Sequence, residues 1–129
     1  MNQYPGLEKE DCDLLGFVVG CLFSTAISLA DFRQWCQLVI RTREIEAIPA
    51  YFFELESFDE PLTHIYEAIG FNPGWKHTES EWRALYGIAA QRGIEPFDWP
   101  VAPETALRNL AKNPKIAARF RETFPFIQF

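Results

Sequence analysis

The chain has 129 residues, 48% of them apolar and 16% aromatic, which suits one folded domain with a real core and excludes a disordered segment. Its net charge of −6 and pI near 4.9 argue against a surface built for nucleic acid or anionic membrane, since phosphate binding needs a basic patch. Three cysteines, Cys12, Cys21 and Cys36, in no CxxC arrangement, read as buried reduced thiols and place the protein in a reducing, cytoplasmic compartment.

Met1 to Asp13 carries four acids and one Lys, the reverse of the basic opening of an export signal. Leu14 to Phe23 is a run of ten apolar or Gly residues, half of what a bilayer span requires, so it predicts a buried central helix from about Leu14 to Ser24. Asp11 or Asp13 caps it, and Gly16 and Gly20 offer one face to a close-packed second helix. Ser28 starts the next helix. Leu29, Phe32, Trp35, Cys36, Val39 and Ile40 recur at spacings of three and four, with Arg33, Gln37, Arg41 and Glu44 on the solvated side.

Glu44 to Trp75 is the most unusual stretch. It holds seven carboxylates (Glu44, Glu46, Glu54, Glu56, Asp59, Glu60 and Glu67), no Lys or Arg, and seven aromatics. Pro49 opens a short helix whose Tyr51, Leu55 and Phe58 point inward. Alternation of Tyr51, Phe53 and Leu55 also fits a strand, but no second strand is available to pair with it. Phe53 falls off that stripe and is expected at the surface beside Glu54 and Glu56. Asp59 and Pro61 open a further helix, closed by Gly70, that buries Leu62, Ile65, Tyr66 and Ile69 and puts Glu60, His64 and Glu67 on the opposite face. Phe71 to Trp75 reads as a tight turn that leaves Trp75 at the surface.

Thr78 and Glu81 form a capping box for a helix to about Gln91, with Trp82, Leu85, Tyr86 and Ala89 on one face and Gly93 at its end. Ile94 to Pro103, with three prolines plus Phe97 and Trp99, predicts a connector laid over the core. A helix from Pro103 to Lys112, a break at Asn113-Pro114 and a last helix to Thr123 follow, docked by Phe120 and Phe124. Residues 108–122 hold five cations against Glu122 alone, and these could neutralise the acidic stretch. The expected fold is all-α: a single domain over 1–129, with six to seven helices packed around the central apolar one.

No reaction motif is present. The chain lacks a GxSxG or CGxC nucleophile pattern, a GxxxxGK[ST] loop and a GxGxxG turn, and its two His have no zinc-ligand spacing. The Glu60/His64/Glu67 face could serve a metal or an acid–base step. Ordinary solvation with an i,i+4 pair explains it more simply. Neither an enzyme, a cofactor nor a metal is expected. Aromatics ringed by acids are instead what a binder of a basic protein needs: rings anchor and carboxylates steer. The candidate contact residues are Phe53, Glu54, Glu56, Asp59, Glu60 and Trp75.

Short, acidic, helical and without catalytic motifs, and with YFFELESFDEPL and IGFNPGW as its distinctive segments, the chain resembles the small immunity proteins of bacterial contact-dependent growth inhibition and related polymorphic toxin systems. The resemblance implies a protein that binds and blocks one cognate toxin domain. Such toxins are frequently nucleases with basic grooves, and Glu54, Glu56, Asp59 and Glu60 would then stand where phosphates lie. The alternative expectation is a helical adaptor or regulatory module for another basic protein. A small metal-dependent enzyme is the third reading.

Overall fold

The computed structural model describes residues 4–129, so the first three residues of the acidic N-terminal stretch lie outside the described residues. The fold is all-helical: α1 (Asp13–Phe23), α2 (Leu29–Thr42), α3 (Phe52–Leu55), α4 (Ile65–Ile69), α5 (Glu79–Arg92), α6 (Pro103–Lys112) and α7 (Pro114–Thr123). Single 3-10 turns at Ile45–Ala47 and Leu62–His64 complete the elements, and no strand is present among the described residues. None of these helices is long and apolar enough to cross a membrane.

The chain groups into two compact units, each built from two separate segments. One comprises Met1–Val19 and Leu29–Trp75, and the other Gly20–Ser28 and Lys76–Phe129. The apolar run does form a helix buried on all sides, with Leu15, Phe17, Val18, Val19, Cys21 and Leu22 at most 2% exposed.

In the first unit, α2 buries Phe32, Trp35, Cys36 and Val39 as its periodicity requires, while Leu29 and Ile40 are half-buried at the rim. The expected second helix does not approach Gly16. The Asn72–Trp75 segment does, running without the tight turn expected there, and so closely that a Cβ at Gly16 would collide with the Gly74 carbonyl. Cys12 joins the same contact by donating its thiol hydrogen to Gly74 O at 3.5 Å. Arg33, expected in solvent, is only partly exposed. Its Nε donates to Phe58 O at 2.6 Å and ties α2 to the loop after α3.

In the second unit, the capping box of α5 is formed by both of its bonds, Glu81 N to Thr78 Oγ1 at 3.1 Å and Thr78 N to Glu81 Oε1 at 2.8 Å. Its inner face is wider than the predicted stripe, since Ala84, Gly87 and Ile88 join Leu85 and Ala89 in the interior. Without a side chain at Gly87, α6 comes so near that a Cβ there would lie 2.5 Å from Ala106 O. Ser80, Asn109 and Asn113 extend this seam with a side-chain network of 2.9 Å bonds. Phe120 and Phe124 are fully buried, their ring centroids 4.9 Å apart. Neighbouring residues of the connector differ: Pro96 is buried, whereas Phe97, expected over the core, is fully exposed.

Candidate functional site

The acidic stretch is carried by helices too short to persist alone, four residues in α3 and five in α4. Their positions are set by what they bury. Phe52, Leu55 and Ile65 are fully buried and Phe58 and Ile69 are 5% exposed. Phe52, rather than the expected Tyr51, is the deepest anchor, its ring 5.4 Å from that of Trp35. Tyr51 is half-buried instead, stacked on Phe52 at 5.2 Å, with its hydroxyl donating to Leu7 O. Leu62 and Tyr66, also expected inside, are half-buried. Gly70 ends α4 at φ 94°, a left-handed conformation that glycine adopts without a Cβ clash.

With the apolar side chains turned in, the intervening carboxylates surround one open cleft of about 310 Å³. Glu54 of α3, Asp59 and Glu60 of the following loop, and His64 and Glu67 of the next turn and α4 line it, together with Ser57, Phe58 and Ala68. Two features separate in the sequence, the Glu54–Glu60 acids and the Glu60/His64/Glu67 face, therefore belong to one surface. His64 Nδ1 lies 3.4 Å from Glu60 Oε2, both side chains being about half-exposed. Among the described residues Glu54, Asp59 and Glu67 make no ion pair. No group of three or more His, Cys, Asp or Glu among them converges as a metal site would require.

Three expected contact residues lie elsewhere. Glu56 is two residues beyond Glu54, about 200° around a helix, and so cannot share its face. It turns toward α2, into a groove of about 230 Å³ with Gln37, Ile40 and Arg41. There it adds to the effect of burial in raising the Cys36 thiol well above its usual range. Tyr51 is likewise raised, by burial first and by the neighbouring Cys36 second. Trp75 is half-buried, its ring edge-on to Phe17 at 5.1 Å, and does not line the cleft. Phe53 is 52% exposed beside Glu54 but is not part of the cleft wall.

His64 and Glu67 line the cleft although the expected contact residues do not include them. Their spacing of four and seven from Glu60 was the available signal. What the cleft offers chemically is a concentration of negative charge with hydroxyl and imidazole hydrogen bonding, suited to receive cationic groups. Compared with known proteins, the chain matches no family model, no curated protein and no solved structure.

Proposed function

We propose that the chain is a binding protein that neutralises a basic partner, in the manner of an immunity protein blocking a cognate toxin domain, and that it does not catalyse a reaction. The observation that carries this reading is the cleft in which Glu54, Asp59, Glu60 and Glu67 face outward with no Lys or Arg partner among the described residues. Carboxylates left unneutralised on a stable scaffold repel one another. A cationic partner would relieve that repulsion. Phe53, half-exposed next to Glu54, supplies an aromatic anchor at the edge. A toxin whose groove binds phosphates would present the complementary charge. The site of action is then the cytoplasm, where such a toxin would meet its substrate.

The test is co-expression with the toxin domain encoded immediately upstream, scored by rescue of growth. Paired reversals, Glu54→Lys with Asp59→Lys and Glu60→Lys with Glu67→Lys, are expected to weaken the complex by about a hundredfold per pair and to flatten its salt dependence. Glu56→Lys, outside the cleft, should leave affinity near wild type. Growth inhibition that persists despite soluble wild-type protein would overturn the toxin reading. Rescue that survives both paired reversals would overturn the role of the cleft. The adaptor reading predicts binding to a basic protein encoded elsewhere, which pull-down with the wild type and the reversed variants distinguishes.

A further inference from the structure

The second unit carries a surface of different chemistry. His77 stacks on Trp82 with centroids 5.9 Å apart and 29° between planes. Trp82 meets Tyr86 edge-on at 5.6 Å, and Tyr86 meets Trp99 at 6.2 Å with a 49° tilt. The four rings form a continuous strip along α5 and the connector, and none of them is buried.

Trp82, Tyr86 and Trp99 are only half-buried and His77 is exposed, so part of a large aromatic area that folding normally hides remains at the surface. The strip is also held in place. The Trp99 indole N–H donates to Glu95 Oε1 at 3.1 Å, and Pro96 is buried between them in sequence, so the ring is oriented by the connector.

The charge beside the rings selects the occupant. Asp98 is exposed, makes no ion pair or hydrogen bond among the described residues, and lies near enough to Tyr86 to add to the effect of burial in raising its phenol. One Glu95 oxygen is occupied by the indole. The two cations of α5 are engaged, Arg83 by Glu79 at 2.6 Å and Arg92 by Ala26 O at 2.6 Å. Aromatic faces attract cations through their quadrupole, and a planar guanidinium both stacks on a ring and bonds a carboxylate. Phosphates and anionic headgroups meet repulsion from Asp98 and Glu95.

We propose that the Trp82–Tyr86–Trp99 strip, edged by Asp98 and Glu95, is a docking site for an arginine-bearing basic segment of a protein partner. It requires only a cationic planar side chain and stands independently of the toxin reading.

Isotope-labelled full-length protein reports this directly, because the four Trp indole signals separate the strip from the interior. The probe is a blocked peptide of alternating Arg and Gly, with Lys-Gly and Pro-Gly peptides as comparisons. The Trp82 and Trp99 indole signals are expected to move with the Arg peptide, while Trp35, 2% exposed, stays in place. Asp98→Asn, a surface change that leaves the core intact, should weaken apparent affinity about threefold, and Trp99→Leu by at least as much. The proposal is overturned if the two indoles do not move with the Arg peptide up to its solubility limit. It is also overturned if Lys-Gly or Pro-Gly moves them equally. Indole shifts that persist in the Glu54→Lys/Asp59→Lys protein would support it and separate it from the cleft.

Discussion

The acidic stretch and the α5–α6 pair reach a buried interior by opposite routes. Around α3 and α4, regular structure is minimal, and position comes from single anchors: Phe52 against Trp35, Tyr51 to Leu7 O, and Arg33 to Phe58 O. Across α5 and α6, helices of fourteen and ten residues lie almost backbone to backbone at Gly87, with a complete capping box at the entry. The carboxylates of the first region are therefore displayed on a scaffold that has no stability apart from the core beneath it, whereas the rings of the second ride on a helix held along its length. Display of the cleft and stability of the first unit are one property. On α5 they are separable.

Alkali is expected to be the harshest challenge, and to reach both regions. Burial raises Cys36 and Tyr51 in one unit and Cys21 in the other. Groups raised in the folded chain lose protons first in the unfolded one. Their stabilisation is therefore complete below the ordinary thiol and phenol range and falls as pH climbs above about 9. Unfolding followed by circular dichroism should show a plateau through neutrality and a decline beyond it, and a chain equally stable at pH 7 and 11 would contradict the burial of these groups.

Among substitutions, Phe52→Ala is expected to cost about 4 kcal/mol in urea unfolding, because the ring is fully buried and short helices cannot close the cavity. Hydrogen exchange should accelerate across residues 52–69 more than across 79–112. Uniform acceleration would mean that the two regions are not distinct. Gly16→Ala and Gly87→Ala should each cost about 3 kcal/mol, since in both the obstacle is backbone that cannot rotate aside. Thr78→Ala removes one half of the capping box and should cost about 1 kcal/mol while leaving cleft binding unchanged.

Much of this was legible in the chain itself wherever the signal was local. Residues three and four apart defined α2. Thr78 with Glu81 marked the start of α5, and Asn113-Pro114 separated α6 from α7, because caps and proline act through neighbouring backbone. A one-turn helix has no such periodicity. Positions 51, 55 and 58 and positions 52 and 55 are equally good stripes, and only the presence of Trp35 decides for Phe52. Likewise Gly16 announced a close approach but not by what. The choice of an irregular segment 58 residues away over a helix is a tertiary fact. The cleft itself was half visible: the acids were evident, but their division, with Glu54 and Glu67 together and Glu56 apart, depended on residues 52–55 being a helix, which separates positions two apart, and not the strand that would keep them on one face.

The interleaving of segments has a consequence for synthesis. The first unit has all of its residues once Trp75 has been made, so the acidic cleft can form while the chain is still growing. The second unit owns Gly20–Ser28, including the buried Cys21, Leu22, Ala26 and Ile27, yet the rest of that unit begins only at Lys76, and Arg92, which binds Ala26 O, comes later still. For that interval a short apolar segment is already translated but has no settled place. Separate expression of 76–129 would lack it altogether, so no single cut in the chain yields both units whole.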